Sequence, residues 1–228
     1  MRKNALPSRL SPQSTEFTSA LHQALVEHDI PLSSRQRQQL ATHFTLLTQW
    51  NAVHNLTRLS TPLEAVYGHY LDILLGLRHV RPGRELLDVG CGAGFPGLVA
   101  AVLWPRVLVR CLDSRRKKCV FVQTAAQAME LDNVRVEHGR AQTCLPARLV
   151  VSRATFAVER LTVLSRCLRQ PGSSRLALWV TMRQQPAVCR QLEIMGLTSV
   201  ATFAYRHPHG GDRAIVTGRS FHVERGVS

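Results

Sequence analysis

No two cysteines in this sequence stand close together. The six, at positions 91, 111, 119, 144, 167 and 189, form no C-x-x-C pair, a distribution that excludes the usual zinc spacings and a disulfide framework. No uninterrupted apolar run approaches membrane-spanning length, and the opening MRKNALPSRLSPQS lacks the apolar core of a secretory leader, so a protein of the reducing cytoplasm is expected. Neither a serine-centred elbow nor a catalytic-cysteine context is visible. Acid is scarce as well. The 228 residues carry 15 Asp and Glu against 29 Lys and Arg, a formal net charge of +14. The deficit is uneven: residues 1–80 hold seven cations against five acids, residues 81–228 hold 22 against ten. Arginine supplies nearly all of the excess, and its planar fork suits phosphates and bases. Such a field favours a polyanion such as RNA; solubility or an arginine-rich genome is the plainer source of it.

What the chain does have is the stretch LLDVGCGAGFPG, residues 86–97. An apolar run ends in Asp88, glycines follow at 90, 92, 94 and 97, and Pro96 opens a helical run. This spells strand, tight turn and helix N-terminus, a geometry that holds an elongated polar ligand against bare backbone. Gly92, Gly94 and Gly97 satisfy G-x-G-x-x-G, with Asp113 about one strand-helix-strand unit further on, so a dinucleotide site is open. The stretch also reads as D-x-G-x-G-x-G. An acid at Asp88 suits a positively charged ligand such as the aminoacyl sulfonium of S-adenosylmethionine and repels a pyrophosphate.

The chain divides into a flexible tail over 1–13, an N-terminal helical cap over 14–80 and an α/β domain over 81–228. In the cap, Phe17, Ala20, Leu21, Ala24 and Leu25 keep helical spacing. A second helix starts at Ser33 with Gln36 completing a capping box. A third starts at Thr61, with Pro62 in its first turn, Glu64 as box partner, and Leu63, Val66, Tyr67, Tyr70, Leu71, Leu74 and Leu75 as its apolar stripe. Between the last two, Asn51, Asn55 and Thr57 are suited to ordering a loop. His69 and Asp72 share one helix face, as an acid-base pair or as a structural one. From Arg84 onward, strands are predicted near 85–89, 107–112, 133–138, 149–152, 175–180, 199–204 and 213–217, with helices in the intervals up to about 195. This is a mostly parallel seven-stranded sheet ending in an antiparallel hairpin.

Ligands of such a sheet bind at the carboxyl ends of its strands. Asp88 and the turn end the first strand, Asp113 the second, and Ala141 with Gln142 follow the third. Asp113 is assigned to ribose hydroxyls; capping the next helix is its alternative, with Ser114 competing for that task. The next helix opens with Arg115, Arg116, Lys117 and Lys118, four cations that oppose its dipole unless an anion such as an RNA phosphate compensates; a solvated face is the alternative. His207 and His209 form an H-x-H loop with no other clustered ligands, read as a solvated loop that touches RNA, so no metal site is expected.

The segments WNAVHNLT (50–57), HYLD (69–72), LLDVGCGAGFPGL (86–98), LDSRRKKCVFV (112–122) and VSRA (151–154) resemble the bacterial glucose-inhibited division protein B family, also called RsmG. The resemblance runs from about residue 40 to 160. It implies the class I S-adenosylmethionine-dependent methyltransferase fold, Rossmann-like, and methylation of guanine N7 in small-subunit ribosomal RNA with S-adenosylmethionine as cofactor. It also implies that Gly90, Phe95, Ala141, Gln142 and Arg153 contact the cofactor. Arg153 is the candidate catalytic group, holding the cofactor carboxylate or orienting the guanine through O6. Lys117 matches a lysine that recurs in the family. Guanine N7 has a free in-plane lone pair, so its transfer needs alignment and desolvation and no base. The chain departs from the family at Gln142 and Arg148, where acids are usual, and over 178–182, where LWVTM replaces a Lys-Gly. These departures leave two other readings open, a non-catalytic RNA-binding protein and a methyltransferase for another RNA position. A nicotinamide-dependent oxidoreductase suffers from Asp88 and from the lack of a second domain. The expected partner is small-subunit RNA or the ribosomal subunit, with no membrane and a monomer as the default.

Overall fold

A computed structural model of the chain describes residues 12–54, 56–57, 61–153, 156–169, 173–207 and 211–220. Seven strands form one sheet: β1 Glu85–Val89, β2 Leu108–Asp113, β3 Val134–His138, β4 Leu149–Arg153, β5 Ser174–Thr181, β6 Thr198–His207 and β7 Gly211–Ser220. Their order is β3-β2-β1-β4-β5-β7-β6. The first five are parallel neighbours, and β7 pairs antiparallel with both β5 and β6. Apolar, β-branched runs such as Val150 and Val151, buried from both faces, make this arrangement stable. The order reverses between β1 and β4, which opens a crevice at their carboxyl ends.

The helices are α1 Pro12–Glu27, α2 Ser34–His54, α3 Pro62–Ala65, α4 Asp72–Leu77, α5 Gly97–Leu103, α6 Arg116–Ala128 and α7 Gln185–Ile194. A π-helical turn, Val66–Leu71, joins α3 to α4. Both predicted capping boxes form. Ser33 and Gln36 exchange backbone-to-side-chain bonds of 2.9 and 3.2 Å; Thr61 and Glu64 do so at 3.2 and 3.1 Å. Asn51 Oδ1 accepts the Thr57 N–H at 2.8 Å, which orders the loop as expected; Asn55 lies outside the described residues.

Several expectations need correction. Residues 12 and 13 belong to α1 and not to the tail, because Pro12 is tolerated in a first helical turn; residues 1–11 lie outside the described residues. Leu63 is 43% exposed, on the solvent side of the third helix, while Ile73 and Leu77 join the buried stripe instead. The interval between β3 and β4 holds only a 3-10 turn, Ala141–Thr143, being too short for a helical crossover. The interval between β4 and β5 holds a 3-10 segment, Val158–Cys167.

One apolar cluster runs from Phe17 in α1 through Tyr70, Phe95 and Phe121 to Ile215 in β7. The cap and one sheet face therefore share a core, although the predicted boundary at residue 80 falls between α4 and β1. A second cluster, from Leu87 to Val216, fills the opposite face under the 3-10 segment and α7. At Gly76 in α4 a Cβ would stand 2.3 Å from the indole nitrogen of Trp179 in β5, so only glycine lets this helix approach the sheet. The same indole donates to the Asp72 carbonyl at 3.1 Å.

Candidate functional site

The turn between β1 and α5 takes the shape that its glycines allow. Gly90, Gly92 and Gly94 all have positive φ, at 75°, 57° and 87°, a region costly for any residue with a Cβ. The turn is braced from behind by the cap. His43 in α2 is fully buried, donates from Nε2 to the Ala93 carbonyl at 2.9 Å and accepts the Tyr70 hydroxyl at Nδ1 at 2.9 Å. Burial pushes its pKa down to about 4, so this imidazole stays neutral.

The turn lines a cavity of about 570 Å³ at the carboxyl ends of β1, β2 and β3, within the range of ligand sites. Gly90, Gly92, Phe95, Asp113, Ala141, Gln142 and Arg153 all reach it, and so do Arg115 and Lys118. Asp113 ends β2, with Oδ2 accepting the Gly92 N–H and Oδ1 the Arg115 N–H, each at 2.9 Å. Each oxygen retains a second acceptor position. Ligand binder and helix cap are thus compatible in one side chain. Phe95 stacks on His69 of the π-helical turn at 4.6 Å between centroids.

Asp88 and Gly94 are not on the cavity wall. Asp88 is fully buried and its Oδ2 accepts the Gly97 N–H at 2.7 Å, at the first turn of α5. A Cβ on Gly97 would lie 2.8 Å from that oxygen. The Asp88 carboxylate therefore holds the helix onto the strand rather than facing a ligand, and its Oδ1 has no hydrogen-bond partner among the described residues. Gly94 closes the turn over Leu98, whose Cδ1 would stand 2.5 Å from an added Cβ.

Burial raises the Asp88 pKa to about 8, the Gly97 N–H opposing it. Its folded-state value thus lies above its unfolded value of about 4, and the native chain binds more protons in between, so stability falls as pH rises through that window. Below about 6.5, neutral His43 works in the opposite direction, because the unfolded imidazole takes up the proton. Between about pH 6.5 and 8 Asp88 acts alone, and the ligand-free protein is expected to lose about 1–2 kcal/mol. Asp88→Asn, which keeps the acceptor for Gly97, flattens that decline. Thermal unfolding at the two pH values checks it; parallel declines in both proteins would remove Asp88 as the cause.

Arg153, at the end of β4, is the hub between sheet and cap. Its Nε donates to Asp72 Oδ2 at 2.9 Å, Nη1 to His69 Nδ1 at 2.9 Å and Nη2 to the Gly68 carbonyl at 2.5 Å. The Tyr205 hydroxyl donates to Asp72 Oδ1 at 2.7 Å. Since Nδ1 of His69 accepts, its proton sits on Nε2, which donates to Thr57 Oγ1 at 2.9 Å. Burial, and then the Arg153 charge, hold this imidazole well below its usual pKa. His69 and Asp72 are therefore a structural pair around an arginine, each engaged by the Arg153 guanidinium.

A second cavity, of about 310 Å³, adjoins the first through His69, Arg153 and Phe156. Its walls are mixed: Leu161, Leu178, Trp179 and Val188 supply the apolar part, and Asp72, Ser152, Thr181, Gln184 and Arg213 the polar part. Arg213 Nε is buried with no partner among the described residues. From sequence Arg213 is only the first residue of a strand; pairing of β7 with β5 places it opposite Thr181, inside the cavity. This wall is also where LWVTM stands.

The four consecutive cations divide. Arg115 and Lys118 line the first cavity, whereas Arg116 and Lys117 do not; Lys117 Nζ reaches the His54 carbonyl at 3.5 Å. Arg148 lies at the amino end of β4, its Nη1 on the Ser173 carbonyl at 3.3 Å, far from both cavities. Of the H-x-H loop, His207 is buried and donates from Nε2 to the Tyr67 carbonyl at 2.7 Å, so it is a link to the cap and not a solvated residue. His209 and Ala154 lie outside the described residues. No helix among the described residues is long and apolar enough to cross a membrane.

The family model for rRNA small subunit methyltransferase G (GidB) matches residues 36–216. A Ribosomal RNA small subunit methyltransferase G of Acidovorax sp. (strain JS42) is 38% identical over 178 residues, covering 72% of this chain and 79% of its own. That of Streptococcus agalactiae serotype Ia is 31% identical over 209 residues, covering 86% and 88%. Among solved structures, a SAM dependent methyltransferase from Aquifex aeolicus superposes with a TM-score of 0.51 at 18% identity, over 65% of this chain and 89% of its own. That last likeness carries the fold.

Proposed function

The chain belongs to the rRNA small subunit methyltransferase G family, and we infer from that membership and from the site that it methylates guanine N7 of 16S ribosomal RNA. The observation that carries the finer reading is the junction of the two cavities at Arg153: one is floored by the backbone of the glycine-rich turn, the other sets Phe156, Leu178 and Trp179 beside the polar groups of Thr181, Gln184 and Arg213. They suit a cofactor and an acceptor base that meet at a shared wall.

S-adenosylmethionine, when bound, supplies a methyl group made electrophilic by its sulfonium. The first cavity fits it. Gly90 and Gly92 leave backbone exposed, Asp113 offers acceptor capacity to ribose hydroxyls, Ala141 and Gln142 stand where the adenine would end, and Phe95 packs the middle. Asp88 acts at one remove, by fixing α5 to β1.

The second cavity would hold the guanine. Leu178, Trp179 and Phe156 would pack against the base, and the Arg213 Nε is a buried donor in want of an acceptor such as O6. Arg153, anchored on three cap acceptors, holds the shared wall in place. The acceptors of this wall are committed to the structure, His69 Nδ1 to Arg153 and the Asp72 oxygens to Arg153 and Tyr205. A base nitrogen that brings its own lone pair needs no proton removed. The cations from Arg115 to Lys118 would take RNA phosphates at the cavity mouth. The division into an N-terminal cap and a catalytic domain follows the same assignment, and we place the protein in the cytoplasm as a monomer.

The test incubates the purified protein with labelled S-adenosylmethionine and small-subunit RNA or particles from cells lacking this gene, then maps the modified nucleotide by mass spectrometry. Label at a guanine N7 is expected. Label at another position corrects the substrate, and RNA binding without cofactor binding or label would mark a retired enzyme kept for its RNA affinity.

A further inference from the structure

At the opposite end of the sheet from both cavities, the amino ends of β1, β4 and β5 and the carboxyl end of β7 enclose a cleft. It has two lobes, of about 630 and 480 Å³, which share Arg81, Leu149, Arg175 and Arg219. Six arginines line it: Arg81, Arg84, Arg148, Arg169, Arg175 and Arg219. Against them stands one carboxylate, Glu85, which is already bonded to Arg169 at 2.6 Å. The guanidinium groups of Arg81, Arg84, Arg175 and Arg219 have no acceptor among the described residues. Arg175 and Arg219 sit directly opposite each other in the β5 and β7 register, so the strands themselves force two cations together. Like charges opposite one another destabilise a strand pair, and the cost persists unless an anion is shared between them. Consistently, burial and then the charges of Arg219 and Arg81 lower the Arg175 pKa.

The second lobe adds an aromatic platform. His79 and Phe203 stack with centroids 4.4 Å apart and planes 11° apart, both on the wall beside Arg81. Phe203 is half-buried and His79 is exposed, so one imidazole face is left to solvent. Burial and the neighbouring Arg78 lower the His79 pKa, which keeps a neutral, stackable ring. Arginines for phosphates beside an open aromatic face are the recurring parts of a single-stranded nucleic-acid site.

We propose that this cleft is a second RNA-binding surface, taking a single-stranded segment of the substrate RNA, with its phosphates on Arg81, Arg175 and Arg219 and a base stacked on His79. The proposal rests on the reading of the substrate as RNA. β1 alone, five residues long, separates the two ends of the sheet by about 17 Å, so one folded RNA domain can touch both.

The test compares wild-type protein with Arg81→Glu/Arg219→Glu and with His79→Ala, none of which lies in the cofactor or acceptor cavity. The probe is a small-subunit ribosomal RNA transcript, titrated at several salt concentrations, with S-adenosylmethionine affinity measured alongside. For the double variant, RNA affinity is expected to fall about tenfold or more, and the slope of log K against log salt to shrink by about 1.4, two single-strand contacts at about 0.7 each. His79→Ala is expected to weaken binding several-fold with the slope unchanged. Cofactor affinity stays at the wild-type value in both. RNA affinity and slope unchanged in the double variant would overturn the proposal. So would a loss seen with protein-containing subunits but not with the naked transcript, which would point to an acidic protein. A wild-type protein that binds the transcript through this cleft yet transfers no methyl would sink the methyltransferase reading alone.

Discussion

Arg153→Ala is expected to be the most damaging single substitution at the site, lowering stability by about 3–5 kcal/mol. The guanidinium is 14% exposed and Asp72 only 2%. Removing it leaves a buried carboxylate without its cation, and strands the His69 Nδ1 and Gly68 carbonyl acceptors. The expected loss comes from the uncompensated charge rather than from missing contact area, which fixes how it should be repaired. Asp72→Asn in the Arg153→Ala background removes the orphaned charge while keeping an acceptor for Tyr205, so the double variant is expected to be more stable than Arg153→Ala. Urea unfolding of the wild type and the variants reads both steps. An Arg153→Ala protein within 1 kcal/mol of wild type, on the scale of an exposed ion pair, would mean that the hub does not hold cap to sheet. Methyl transfer is expected to drop by about a hundredfold at temperatures where the variant remains folded, since the same side chain forms the wall between the two cavities.

Asp113→Ala is expected to weaken S-adenosylmethionine binding by about ten- to hundredfold, or about 1.4–2.8 kcal/mol. Two effects combine. The ribose hydroxyls lose a charged acceptor, and the Gly92 and Arg115 N–H groups lose the oxygen that fixes the turn relative to α6. Calorimetric titration together with thermal unfolding separates them. Loss of the cap alone costs about 1 kcal/mol of stability and leaves affinity intact; that pattern would remove Asp113 from the ribose. Asp113→Asn, which keeps one oxygen but no charge, is expected to fall between the two proteins in affinity.

The strands were legible because each is a short apolar run bounded by turn residues. The first five lie within one residue of the predicted limits; β6 and β7 run longer, since pairing with each other extends a hairpin beyond its apolar centre. The capping boxes were legible for the same reason: they are local chemistry. What escaped was decided across the sequence. The partners of Arg153 lie 81 to 85 residues away in the cap, and no pattern around VSRA announces them. Asp88 reads as a ligand group from its spacing, yet the turn that follows folds the Gly97 N–H back onto it. Arg213 reads in sequence only as the start of the last strand; its place in the cavity follows from β7 lying between β5 and β6. Leu63 fits the spacing of a buried stripe and still faces solvent, because the widened turn after it shifts the stripe.

That widened turn, Val66–Leu71, acts as a phase shifter. An α-helix advances about 100° per residue, so a single extra residue looped into one turn rotates everything downstream of it relative to everything upstream. The upstream part, α3, lies against α1 and the cap, while the downstream part aligns Asp72 with Arg153 and Gly76 with Trp179. Deleting one residue within the turn would restore a regular helix and leave both halves intact as sequence, yet swing Asp72 by about a quarter of a revolution away from the sheet. Length here is information: insertions and deletions between Ala65 and Asp72 are expected to be less tolerated than most substitutions, because a substitution changes one contact and a deletion changes which face of the helix the sheet reads.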